Sequence, residues 1–376
     1  MILTHSAARV LWTALLAYVC APAMRAEQAV NLAQPITPRD MPLRVHVFED
    51  FETEIEKRWW LVGTPETQNV PPSLSRSVPN TRCCRAGETK NYDREQEDQT
   101  KIWKAVIFNP VPGPPMGSRT RLHFRYWIKG TDRLRVQIYS LTNNYHRFLT
   151  LTGLPQEKWQ AATVDMTLAR RPDGSGGPLS TDERIDDIQF YIPREADLLI
   201  DDIVLYEEAA EKPEATKAER RVFPRRIIFT GWFDTGKQGA EWPGTFDIVP
   251  HEKPLTWKAA KSVSRPAAER PDGMPVLRQA WIRVGLRGLR PLSKNNAVRF
   301  RYRLAASERL DVVLLNSKTG WQHAASVREV KQNEWSEATI ALPGTAEKPF
   351  ADELLFLIDA RGTLLVDDVL IYEPGE

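Results

Sequence analysis

Two short segments, Leu198-Leu199-Ile200-Asp201-Asp202-Ile203 and Leu364-Leu365-Val366-Asp367-Asp368-Val369, set paired carboxylates inside otherwise apolar runs. Side chains alternate along an extended strand, so Leu199, Asp201, Ile203 and Leu205 are expected on one face and Asp202 on the other. Asp367 takes the same place beside Leu365, Val369 and Ile371. A carboxylate on an apolar face is costly unless it meets a cation, an arginine or backbone amides. A second constellation is Arg125, Trp127, Gln137, Tyr139, Gln189 and Tyr191, all on the outward parity of their strands. Aromatic rings beside amides and a guanidinium suit a sugar, with rings against its C–H face and polar groups on its hydroxyls.

Known catalytic arrangements are missing. The chain has no Gly-x-Ser-x-Gly elbow, no His-Glu-x-x-His helix and no P-loop. His46, His123, His146, His251 and His323 lack metal-ligand spacing. Carboxylates such as Glu157, Asp165 and Glu183 are not paired at a separation suited to acid–base cleavage of a glycosidic bond. The expectation is a protein that is not an enzyme.

The elements that must position these residues are strands. Phe124-Arg125-Tyr126-Trp127-Ile128-Lys129, Leu134-Arg135-Val136-Gln137-Ile138-Tyr139 and Ile188-Gln189-Phe190-Tyr191-Ile192 all alternate apolar and polar with period two. No long helical stripe occurs. Pro (28) outnumbers Gly (20), which also fits many short strands joined by loops. The fold class is therefore all-β, two antiparallel β-sandwiches of jelly-roll type.

There are two because the chain repeats itself. Arg121 to Tyr126 matches Ala297 to Tyr302, and the same offset of 176 pairs Arg133-Leu134 with Arg309-Leu310, Trp159 with Trp335 and Ala162-Thr163 with Ala338-Thr339. Upstream, Phe51-Glu52 matches Phe233-Asp234, Trp60 matches Trp242, and Trp103 falls near Trp281. In the closing segment the offset drops to 166, so ten residues are extra in the first copy, and Arg171 to Pro178 reads as the inserted loop. The domains expected are 44–208 and 226–376, joined by a charged linker at 209–225 and preceded by an extended leader at 27–43. The matched tryptophans read as packing residues; Trp59, Trp127, Trp232 and Trp257 lack aromatic counterparts and read as surface.

Residues 1–26 have Arg9, the apolar run Val10 to Val19 and a small-x-small pattern at Ala21-Pro22-Ala23, the pattern of a removable export signal. The apolar run is too short to span a bilayer, so no membrane span is expected and the destination is periplasmic or extracellular. Lys plus Arg (51) nearly balance Asp plus Glu (49), which gives no electrostatic reason to expect nucleic acid. Cys83 and Cys84 are adjacent; they could form a strained vicinal disulfide, link two chains, or remain unbonded.

The second copy opens Gly231-Trp232-Phe233-Asp234-Thr235-Gly236, has Trp242 soon after, and closes on the apolar-Asp-Asp-apolar strand. This pattern resembles the galactose-binding-like jelly rolls, including many carbohydrate-binding modules. The first copy keeps Phe51-Glu52 without the glycines. The resemblance implies a structural calcium held by the opening acid and closing Asp, here Glu52 with Asp201 and Asp234 with Asp367. The alternative is a carboxylate capped by amides or by an arginine, with no metal. Glycan is the expected ligand. In the second copy the outward positions become Arg301, Arg303, Val313, Leu315, Leu355 and Leu357, and the four apolar ones predict a patch for a protein partner. The alternative function is a scaffold or adhesion protein that contacts proteins and binds no sugar.

Overall fold

The computed structural model describes residues 31–38, 40–53, 61–90, 101–181, 183–209, 222–239, 241–250, 258–264, 279–342 and 350–375. The signal segment 1–26, most of the linker, Trp59, Trp60 and Trp257 lie outside them. The architecture is all-β, with one short 3-10 turn at Met166–Leu168.

Each half is a sandwich. In the first, one sheet orders the strands Leu32–Ala33, Tyr145–Leu151, Leu134–Ser140, Glu183–Pro193, Ile102–Phe108 and Leu61–Val62. The facing sheet orders Gln160–Asp165, Thr120–Lys129, Asp197–Glu207, Cys83–Arg85 and Thr64–Glu66, with Arg44–Glu49 paired to Asp197–Glu207. The second half repeats this plan. Thr363–Glu373 pairs with Ala297–Ala305 and with Arg226–Gly231, while Gln279–Pro291, Phe350–Asp359, Asp311–Asn316 and Trp321–Ser326 form the other sheet.

Register carries the duplication to single residues. Glu49 faces Ile203 as Gly231 faces Val369, and Arg125 faces Asp201 as Arg301 faces Asp367. Trp103 and Trp281 are the exception. Tyr191 faces Ala105 and Leu357 faces Trp281, so Trp281 corresponds to Ala105, two residues from Trp103 on the same face.

The Asp pairs break the simple alternation expected for their strands. Both closing strands bulge there, and Asp202 and Asp368 take left-handed φ values of 49° and 50°. One extra residue reverses the faces. Leu198, Ile200, Ile203 and Leu205 point into the first core, whereas Leu199 and Asp201 lie opposite Trp127 and Arg125 on the outer face. Leu364, Val366, Val369 and Ile371 repeat the inward set. Asp201 and Asp367 are therefore buried outside the core, not within it.

The leader is more than a lead-in: Leu32–Ala33 pairs in parallel with Tyr145–Leu151, and Ile36 bridges to Thr163. Between the sandwiches lies a third apolar cluster, with Met41, Val45, Val204 and Tyr206 from the first half and Ile227, Ala297, Leu370 and Tyr372 from the second. Trp232 is buried at this junction and donates its indole N–H to the His46 carbonyl at 2.7 Å. It is not the surface residue its unmatched position suggested, because it packs in its own domain's core against Trp242 and also meets His46 of the first domain.

Candidate functional site

The six outward residues of the first domain do not share one surface. Arg125 and Trp127 lie on Thr120–Lys129, in one sheet, while Gln137, Tyr139, Gln189 and Tyr191 lie on Leu134–Ser140 and Glu183–Pro193, in the other. Their outward faces are on opposite sides of the sandwich. Parity along each strand was read correctly, but parity does not say which sheet a strand joins.

Gln137, Gln189 and Tyr191 are joined by side-chain hydrogen bonds. Gln189 Oε1 accepts from Gln137 Nε2 and from the Tyr191 hydroxyl, each at 2.9 Å, and Gln189 Nε2 donates to Asp187 at 3.0 Å. Gln137 and Gln189 are wholly buried and Tyr191 is 1% exposed, its ring edge-on to Trp103 at 6.2 Å. Burial beside Asp186 pushes the Asp187 carboxyl up to about 6. Groups so enclosed stabilise the sheet and cannot reach a ligand in this conformation. Tyr139 is half-buried, packs on His146 and donates its hydroxyl to Asn144.

The other face is open. Trp127 is half-buried and, with Trp159, Leu199, Val70, Asn69, Arg85, Glu157 and Lys158, lines a cleft of about 390 Å³. Cross-strand pairing sets up the indoles. Gln160 faces Tyr126, which brings Trp159 alongside Trp127 at the strand end. Trp159 is fixed by its indole N–H, which donates to the Asn69 carbonyl at 3.0 Å. Arg85 is held by Glu66 at 3.1 Å and by Asp197. Asn69, Arg85 and Trp159 were missed as site residues. Trp159 matched Trp335 and so read as packing, yet Trp127 corresponds to Arg303, so only the first domain has two indoles here. Arg125 is nearly buried and donates to the Pro72 carbonyl at 2.7 Å and to Asp202 at 3.1 Å, a structural role.

The carboxylates proposed for calcium have other partners. Glu52 accepts from the Thr81 and Arg82 amides at 2.7 and 2.9 Å, and Asp201 accepts from Asn80 at 2.7 Å and the Asp202 amide at 2.8 Å. In the second domain Asp234, Asp367 and Asp368 converge on the guanidinium of Arg44. Arg44 hydrogen-bonds Asp234 and Asp368 and lies 3.7 Å from Asp367. Among the described residues no group of three or more His, Cys, Asp or Glu side chains is arranged to hold a metal ion. Calcium needs six to eight oxygens, and here a guanidinium fills the space between the acids. The donor set does not fit calcium in the second domain; the arginine alternative does.

No family model matches the chain, and no curated protein matches it. Solved structures do. The tandem CBM22-1–CBM22-2 domain of Paenibacillus barcinonensis Xyn10C is 12% identical, over 91% of this chain and 99% of that one, with a TM-score of 0.29. The family 11 carbohydrate-binding module of Clostridium thermocellum Lic26A-Cel5E is 16% identical, over 48% of this chain and all of its own, with a TM-score of 0.30. TmCBM61, solved with β-1,4-galactotriose, is 13% identical over 44% of this chain and 99% of its own, with a TM-score of 0.28. Likeness at this level does not determine a ligand, so the geometry of the cleft has to.

Of the apolar patch expected on the second domain, Val313 and Leu355 are 5% and 7% exposed, and only Leu315 and Leu357 remain half-buried. They cannot form the broad exposed surface anticipated. Cys83 and Cys84 are both buried and unbonded. Burial pushes the Cys83 thiol up to about 12, and burial raises Cys84 as well.

Proposed function

We propose that the protein binds glycan without catalysis, through the Trp127–Trp159 cleft of its first domain. The observation that carries this reading is two partly exposed indoles lining one cleft, with amide, guanidinium, ammonium and carboxylate groups around them. The cleft's volume, about 390 Å³, falls within the range of small-molecule sites. Indole faces can cover the apolar side of a pyranose while Asn69, Arg85, Glu157 and Lys158 meet its hydroxyls. Both signs of charge occur on the rim, which favours a neutral sugar over a polyanion.

The leader pattern of residues 1–26 supports export, where polysaccharide would be met. Among the described residues no helix is long and apolar enough to cross a membrane.

The test is a panel of soluble and insoluble polysaccharides, screened by pull-down and affinity electrophoresis with the full chain, then calorimetry on the best oligosaccharide. Trp127→Ala and Trp159→Ala should each weaken binding at least about tenfold, a loss of one stacked ring. Undiminished binding in the double variant, or no binding to any glycan by the wild-type chain, overturns the proposal.

A further inference from the structure

The leader of the first domain closes one side of its sandwich, between the outer strands Tyr145–Leu151 and Gln160–Asp165. Leu32–Ala33 pairs in parallel with Tyr145–Leu151, and the Thr150 amide donates to the Asn31 carbonyl at 2.7 Å. The leader then crosses to the other sheet, where the Ile36 amide donates to the Thr163 carbonyl at 2.8 Å. Beneath it Ala33 joins the core, Leu149, Leu151 and Val164 are wholly buried, and Ala162 and Thr163 nearly so.

The second sandwich has the same two outer strands. The offset of 176 carries residues 145–151 onto 321–327 and residues 160–165 onto 336–341. Among the described strands, Trp321–Ser326 pairs only with Asp311–Asn316, and Trp335–Ala341 only with Ala297–Ala305. Where the leader would run lies a cleft of about 710 Å³, lined in part by Ala325, Ser326, Val327, Ala338, Thr339 and Ile340. These are the counterparts of Leu149, Thr150, Leu151, Ala162, Thr163 and Val164. Ala325, Val327, Ala338 and Ile340 pack against the core yet stay half-buried.

We propose that this side of the second domain is a strand-acceptor groove for an extended apolar segment of a partner protein. The segment docks as the leader does in the first domain, parallel to Trp321–Ser326 and then across to Thr339. Two sheet edges above apolar side chains offer backbone hydrogen bonds together with side-chain pockets, which is what strand addition requires. The leader shows that equivalent residues hold such a peptide. Leu149 and Leu151 become Ala325 and Val327, so the groove has room for a side chain larger than Ala33, of leucine size. Arg328, Glu329, Lys331 and Glu337 give the rim both signs of charge, so the occupant needs no net charge. The chain's own linker lacks such a residue. The offset of 182 that relates Phe51 to Phe233 sets Glu214, Ala215 and Ala218 at the places of Leu32, Ala33 and Ile36.

The probe is a peptide of residues 29–38 carrying Ala33→Leu, titrated into the full chain and read by fluorescence anisotropy and residue-resolved amide exchange. It should bind saturably and slow exchange at the Ser326 amide, the counterpart of the bonded Thr150 amide, at least about tenfold. The unsubstituted peptide should bind about tenfold more weakly, since alanine buries less apolar area than leucine. Val327→Asp in the chain should weaken the substituted peptide at least about tenfold. Should that variant not fold, Ser326→Pro decides the matter. An edge strand tolerates proline where its N–H faces outward, and without that N–H the peptide should again lose about tenfold. No binding, or binding that folded variants leave unchanged, overturns the proposal. A Ser326 amide already protected without peptide would mean that the chain covers its own groove. Self-association of the wild type that Val327→Asp abolishes would assign the groove to a second copy. Either result also overturns the partner protein.

Discussion

Arg125 donates to Asp202 at 3.1 Å, and the same contact recurs in the second domain as Arg301 to Asp368 at 3.3 Å. The pair sits beside the bulge on adjacent strands of both sandwiches. Its two copies are not equally placed. The Arg125 side chain is 10% exposed and that of Arg301 is 30% exposed, and Asp368 also has Arg44. Arg125→Met should therefore destabilise by about 3 kcal/mol and Arg301→Met by about 1 kcal/mol in urea unfolding. Equal losses would mean that burial and the second arginine do not set the difference.

Gln137 should matter for stability and not for ligand. Its amide donates to Gln189 inside a network without water access. Gln137→Ala should cost about 1–3 kcal/mol, the range for an interrupted buried hydrogen bond, with glycan affinity unchanged. Loss of binding at unchanged stability would move the ligand site to this sheet.

Asp187 gives a pH signature. Its carboxyl rises from 3.8 to about 6 in the fold, so the folded state holds a proton that the unfolded state releases. Stability then falls as pH climbs from about 4 to about 6 and stays lower above. Asp187→Asn removes this penalty while its amide oxygen still accepts from Gln189. The variant should melt about 2–4 °C above wild type at pH 8, with the gap closing near pH 4. A gap constant with pH would show that the carboxylate is not the cause.

Cys83 and Cys84 should be silent until the protein unfolds. Both thiols are buried, and Cys83 titrates only at about 12, so little thiolate exists at pH 8. Iodoacetamide should leave Cys83 and Cys84 unmodified in the native protein and label both in about 6 M guanidinium, which suffices to unfold most folds. Rapid labelling of the native chain would contradict this burial.

Period-two patterning was enough to place strands, because side chains alternate whatever the strand pairs with. Leu122, Phe124, Tyr126 and Ile128 are all in the core, as their alternation demands. What alternation could not register was the extra residue at Asp202 and Asp368, which needs a left-handed backbone and only then turns Asp201 outward. Nor could it assign Gln137 and Trp127 to different sheets. Trp159 was legible as a matched residue but not as a cleft residue, since its neighbour Trp127 comes from a strand some thirty residues earlier.

By itself the sequence determined that this is a duplicated all-β chain whose closing strands each carry a costly pair of acids. Only the tertiary structure decided what neutralises them. Arg44 is 190 residues from Asp234 and 324 from Asp368, in the other domain. Buried charge needs a partner within a few ångströms, and which partner arrives is set by how two sandwiches pack, not by any local spacing.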